Sequence, residues 1–201
     1  MLDLSNNNAP VDFKRVFQAG QKRVYLKLTE GVTFNDPTFA DLRNRARAAG
    51  LKVGAYHFAR GIPAGNSAKD EANHFLSQLP SLSSGDLRPA LDLEFKQPSA
   101  DVGNWAKEWL SLVKSKTGVA PIIYSYGSFL EGCRFSTPPA ALWLASYGRN
   151  DGKEYPFTIP SPWKGVAAHQ FSSNARVAGC AGPVDISHIF VANAIDVPAG
   201  V

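Results

Sequence analysis

Asp92 and Glu94 stand one residue apart in the run Pro89–Phe95 (PALDLEF). In an extended strand, residues i and i+2 project to the same side, so both carboxyls face one way while Leu91, Leu93 and Phe95 face the other. Two acids turned toward an interior are costly to bury without a purpose. Their repulsion and apolar walls raise the pKa of at least one, and a carboxyl that keeps its proton near neutral pH can act as an acid. The plain alternative is a solvated strand pair, or an ion pair with Lys27 or Arg88. Against it stands the company. Asp3 and Asp185 end the first and last strand candidates and become neighbours if the sheet closes on itself. Four carboxylates at one mouth match what glycoside cleavage needs, an acid for the leaving oxygen and a second negative group for an oxocarbenium-like transition state. Trp143, Tyr56, Tyr124 and Tyr147 offer ring faces on which sugars can stack. Trp105 and Trp109 lie on a helical stripe and read as core.

The elements that must position these residues alternate. Strand candidates are Leu2–Ser5, Arg23–Thr29, Leu51–Phe58, Pro89–Phe95 and Pro121–Ser125. In the second, Val24, Leu26 and Leu28 share one side, with Tyr25 and Lys27 on the other. Between them lie helical patterns: Pro10–Ala19; a helix with Asp36 at its N-cap and Pro37 at N1; one opened by Ser67 and Asp70; and a long one capped by Ser99 and stopped at Gly118. After a short helical piece at Ser128–Gly132 the rhythm changes. Ala141–Tyr147, Gly165–Phe171 and Val184–Phe190 follow with little helix between them. This pattern predicts one α/β domain over 1–201, a barrel-like sheet with a partly antiparallel end. The polar residues cluster at C-terminal strand ends, where strand-to-helix loops meet.

Composition narrows the classes. The chain has 201 residues, 21 Lys+Arg against 17 Asp+Glu, and 44% hydrophobic residues, enough for a packed core. The basic residues are dispersed and lack interleaved aromatics, which argues against nucleic acid as a partner. No apolar run approaches the ~20 residues of a membrane helix, and no basic-apolar leader is read after Met1. His57, His74, His169 and His188 are scattered and no C-x-x-C occurs, so neither a metal nor another cofactor is expected. Cys133 and Cys180 are compatible with one disulfide or two thiols.

The segments also carry a family resemblance. Asp3-Leu4-Ser5, Val24–Gly31 (VYLKLTEG), Gly50–Phe58 (GLKVGAYHF), Ala90–Glu94 (ALDLE), Pro121–Ser125 (PIIYS), Leu142–Tyr147 (LWLASY), His169–Ser172 (HQFS) and Val184–Ser187 (VDIS) run in the order of the glycoside hydrolase family 25 lysozymes. The chain resembles that family over nearly its whole length. The resemblance implies a modified TIM-like barrel, five β/α units followed by three strands with little helix. It implies hydrolysis of the β-1,4 bond between N-acetylmuramic acid and N-acetylglucosamine in peptidoglycan. Glu94 would be the general acid/base, and Asp92 would orient the substrate's own 2-acetamido group as internal nucleophile. Asp3 and Asp185 would hold that pair electrostatically. Tyr56, Tyr124, Trp143, Lys27, Gln170, Tyr147 and Glu30 would bind the glycan. The partner would be the glycan strand, met by a monomer at the bacterial wall after secretion or phage release. The chain departs from the family at Asn6-Asn7-Asn8-Ala9-Pro10, where relatives often show an aromatic residue and Gln-Gly. A competing reading is a non-catalytic wall-glycan-binding module on the same fold.

Overall fold

The computed structural model describes residues 1–8, 10–95 and 98–200. Its strands are β1 (Leu2–Leu4), β2 (Arg23–Glu30), β3 (Phe34–Asn35), β4 (Lys52–Phe58), β5 (Ala90–Asp92), β6 (Ile122–Tyr126), β7 (Ala141–Ala145), β8 (Ala168–Ala175) and β9 (Val184–Ile189). The helices are α1 (Phe13–Gln18), α2 (Phe39–Ala48), α3 (Ala68–Gln78), α4 (Ala100–Thr117) and α5 (Gly127–Gly132). Neighbours β1 to β8 run parallel around the ring, β3 excepted. Strand β9 pairs antiparallel with both β8 and β1, which closes the barrel. β3 lies outside the ring as an antiparallel flap on β2. Five β/α units followed by three strands is therefore the observed order.

Strand alternation sorts side chains into two apolar layers. Val24, Leu26, Val53, Leu91, Leu93, Ile123, Leu142 and Leu144 point outward and pack with Phe75, Trp105, Trp109 and Phe129 of the helices. Tyr25, Ala90, Ile122, Tyr124, Trp143 and Ala168 point inward and fill the lower barrel. Small residues are needed where large ones cross this narrow interior. At Gly54 a Cβ would come within 2.3 Å of Tyr25 Cε1 and 2.8 Å of Leu87 Cβ. At the end of α4, Gly118 supplies a left-handed φ of +72° and donates its N–H to Lys114 O.

The caps at Ser67 and Ser99 are present, their hydroxyls accepting from the N–H groups of Asp70 and Val102. Asp36 differs from expectation. Helix α2 starts two residues later than Pro37, with Thr38 at the N-cap. The Asp36 carboxylate instead accepts from Thr38 N at 2.8 Å, Thr38 Oγ1 at 2.6 Å and Asn6 N at 2.9 Å. It makes an Asx turn and pins the loop after β1, a use of the side chain that competes with capping. Strand β8 is also shifted: it begins at Ala168 rather than Gly165 and continues to Ala175, because its hairpin with β9 extends beyond the barrel ring. Strand β7 stops at Ala145, short of Tyr147. Ala9, part of the divergent Asn-rich segment, lies outside the described residues. Cys133 and Cys180 are both free thiols.

Candidate active site

The C-terminal ends of the barrel strands surround a cavity of about 260 Å³ lined by Asp3, Lys27, Tyr56, Asp92, Glu94, Tyr124, Trp143, Tyr147, Gln170 and Asp185, together with Ser5, Asn7 and Phe58. β1, β2, β4, β5, β6 and β7 send inward side chains to this mouth from at or near their C-terminal ends; β8 contributes Gln170 from the segment paired with β7, and β9, running the other way, contributes Asp185 from near its start. Asp3 and Asp185 are paired directly across the β1–β9 seam.

Regular β5 ends at Asp92, yet Glu94 keeps the same facing. Leu93 N donates to Tyr124 O at 2.9 Å, and Ser125 Oγ donates to Leu93 O at 2.5 Å, so the chain stays clamped to β6 for two residues more. Outward of it, Leu93 and Phe95 are buried in the helical layer. Behind Tyr56, His57 points outward and stacks on Trp109 at 5.6 Å. Its ring nitrogens lie 2.8 Å from Thr29 Oγ1 and 2.8 Å from Glu71 Oε2.

Gln170 organises the polar floor. Its amide donates to both oxygens of Asp3 at 3.0 Å, and its carbonyl accepts from Tyr124 at 2.8 Å and Tyr147 at 2.6 Å. Asp92 is 7% exposed, and its Oδ1 has no hydrogen-bond partner. Burial, then the neighbouring Glu94 and Asp3, push the Asp92 carboxyl well above the ordinary carboxylate range. Burial and Asp185 raise Asp3 in the same way, against the hydrogen bond from Gln170. Glu94 is raised by burial and by Asp185, with Lys27 opposing, and burial lifts Asp185 to about 6. Four acids crowded into one cavity oppose one another's ionisation, and all four are displaced toward the protonated form.

The residues singled out from the sequence occupy different depths. Trp143 is only 2% exposed: it stacks on Tyr25 at 4.9 Å, meets Tyr124 edge-on at 4.8 Å and donates Nε1–H to Ser187 Oγ at 2.9 Å. Its ring is cavity floor, with one face covered. Tyr56 and Tyr147 are half-buried at the walls. Glu30 lies away from the cavity lining, ion-paired to Lys27 and to Arg60 at the rim. Arg88 turns to the opposite end of the barrel, where it donates to Ala120 O, so it does not partner the acids. The structure adds Ser5, Asn7 and Phe58 to the residues expected at the site. Ser5 and Phe58 were legible, being two residues beyond Asp3 and Tyr56 on the same strand faces. Asn7 sits in an irregular turn whose sequence carries no such period. Among the described residues no cluster suited to a metal ion occurs.

Comparison with known proteins agrees with this architecture. The chain is 30% identical over 188 residues to the autolytic lysozyme of Clostridium acetobutylicum and 26% identical over 198 residues to lysozyme M1 of Streptomyces globisporus. Each match covers 92% of this chain but only 54% and 65% of those relatives' lengths. The crystal structure of the bacterial lysozyme from Streptomyces coelicolor superposes with a TM-score of 0.84 at 28% identity, covering 94% of this chain and 90% of that one. The family model described as glycosyl hydrolases family 25 matches residues 2–180, and the chain belongs to that family.

Proposed function

We propose that the chain is a peptidoglycan hydrolase, an N-acetylmuramidase cleaving the β-1,4 bond between N-acetylmuramic acid and N-acetylglucosamine. The observation that carries this reading is the buried, unpartnered Oδ1 of Asp92 in the same cavity as Glu94, whose carboxyl is raised above its ordinary value by burial and by Asp185. A buried acceptor without a donor is costly, and the amide N–H of a substrate 2-acetamido group supplies the missing donor. In the proposed reaction Glu94 gives its proton to the leaving glycosidic oxygen. As the glycosidic C–O bond breaks, the acetamido oxygen bonds to the anomeric carbon, and the ionised form of Asp92 accepts the amide N–H proton as positive charge develops there, returning it when the ring opens. Glu94, now a carboxylate, removes a proton from water as the cyclic intermediate opens. This use of the substrate's own nucleophile departs from the two-carboxylate retaining scheme. Negative charge on Asp3 or Asp185 disfavours ionisation of Asp92, and Asp185 does the same at Glu94, by like-charge repulsion. Tyr56, Tyr124, Tyr147, Gln170 and Lys27 line the sugar groove, Trp143 forms its base, and Glu30 fixes Lys27 from outside.

The names lysozyme and muramidase among the relatives support this substrate class. The reading places the protein at the bacterial wall, secreted or phage-released, acting as a monomer on glycan strands without nucleic acid or membrane insertion. Among the described residues no helix is long and apolar enough to cross a membrane. The test is lysis of purified walls by Glu94→Gln and Asp92→Asn. Glu94→Gln abolishes clearing while still folding and unfolding cooperatively, and Asp92→Asn slows turnover by about two to four orders of magnitude. New reducing ends on the soluble fragments are muramic acid. Undiminished lysis by Glu94→Gln, or glucosamine reducing ends, overturns the assignment.

A further inference from the structure

At the opposite end of the barrel, where β6 and β7 begin, a cleft of about 540 Å³ opens between α4 and the strand starts. Three cations line it, Arg88, Lys107 and Lys114, and no carboxylate does. Lys107 and Lys114 are seven residues apart on α4, which places them on one face. Among the described residues none of the three has a carboxylate at ion-pair distance. Arg88 is the unusual member. Its two terminal nitrogens reach Ala120 O at 3.2 Å and Asn193 O at 3.4 Å, while its buried Nε has no partner. The other large basic groove, beside α1, differs on this point: Asp12 lines it, and Arg45 is committed to Asp41 and Val11 O.

We propose that this cleft is a second binding site, for a phosphodiester-linked polyol chain. Two ammonium groups and the hydroxyls of Ser111 and Thr137, beside the fixed positive charge of Arg88, supply donors for the oxygens of a phosphodiester. The floor between them is aliphatic, including Leu110 and Pro139, and packs against the C–H surface of a polyol. Because the cleft and the acidic cavity lie at opposite ends of the barrel, one polymer held below leaves the mouth free for a glycan strand. Bound wall polymer then raises the local concentration of the glycan without touching the chemistry. The choice of a wall polymer rests on the muramidase reading; the cleft's preference for phosphodiesters does not.

The experiment titrates the full chain with a poly(glycerol phosphate) oligomer by calorimetry and maps the contacts by amide NMR. Wild type binds, the affinity falls with added salt, and the shifted resonances lie on α4 and the starts of β6 and β7. Lys107→Gln/Lys114→Gln weakens binding by about tenfold, the loss of two charge-assisted contacts. Lys107→Arg/Lys114→Arg restores it, and both double variants hydrolyse walls stripped of phosphate polymers at the wild-type rate. Equal binding by wild type and the double Gln variant overturns the site. Equal competition by a uronate glycan of similar charge density overturns the phosphodiester assignment. Polymer binding by a chain that cleaves no glycan leaves the cleft standing and removes the muramidase reading; cleavage without polymer binding does the reverse.

Discussion

Gln170 Nε2 lies 3.0 Å from both carboxylate oxygens of Asp3, joining β8 to β1 past the intervening β9. Its other amide atom takes the hydroxyl protons of Tyr124 and Tyr147. One side chain thus satisfies four polar contacts in the cavity floor, and no apolar replacement can leave them paired. Gln170→Leu is expected to lower unfolding free energy by about 1–3 kcal/mol, the cost of stranding buried polar groups. It also removes the amide hydrogen bonding that favours ionised Asp3, so Asp3 titrates still higher. Urea unfolding and carboxyl NMR measure the two effects; an unmoved midpoint with an unmoved Asp3 titration would show that the network carries no energy.

The crowding of acids makes stability depend on pH in an unusual sense. Asp3, Asp92, Glu94 and Asp185 all hold their protons more tightly in the folded cavity than as free side chains. Their contribution is fully present below the ordinary carboxylate range and is lost as pH rises through the folded values, about 6 for Asp185. Glu30 and Asp196 behave oppositely. Burial pushes both up, but cation partners, Lys27 and Arg60 for the first and Arg23 and Lys52 for the second, outweigh it and hold them low. Their contribution is present above the ordinary range and lost in stronger acid. Thermal midpoints should therefore peak in mild acid and decline between about pH 5 and 7. Asp185→Asn should flatten that decline by roughly 2–4 °C. A midpoint rising steadily to pH 7 in the wild type would contradict the raised carboxyls of the cavity.

How far the site can be read in advance depends on the range of the interactions that build it. Asp92 and Glu94 follow from strand period alone, and their shared facing needs only the clamp of Leu93 to β6. The meeting of Asp3 with Asp185 needs barrel closure, which the change of rhythm after α5 implies. Glu30 is different. The register of β2 against β4 shifts between Lys27 and Thr29, so Thr29 turns outward to His57 and Glu30 pairs with Phe58 on the side of Lys27, where Lys27 and Arg60 hold it at the rim. Nothing local in VYLKLTEG encodes that bulge. The flap β3 is two residues long and has no period to detect. Trp143 carries a subtler lesson: its inward facing is legible, but its cover by Tyr25 depends on a neighbour more than a hundred residues away in sequence.

Glu71 is the most deeply hidden of the residues that hold the rim. In the first turn of α3 it reads as a solvated acid complementing the helix dipole, yet it is fully buried. Its carboxylate accepts from His57 Nε2 at 2.8 Å, Gly61 N at 2.7 Å, Asn66 Nδ2 at 2.8 Å and Arg60 N at 3.1 Å. Burial drives its pKa up, but these donors outweigh burial and keep it below the ordinary value. Gly61 turns at a φ of +53°, and Arg60 reaches back to Glu30, so the loop leaving β4 is fastened to both α3 and β2. Glu71→Ala would strand at least three buried donors at once. The expected loss is about 3–5 kcal/mol, as for breaking a buried pair by removing one partner. Glu71→Gln keeps the shape and one acceptor oxygen and should lose less. Urea unfolding of both variants decides it: a loss under about 1 kcal/mol for Glu71→Ala would mean that solvent already reaches these donors and that the rim beside Tyr56 and Phe58 is held by other means.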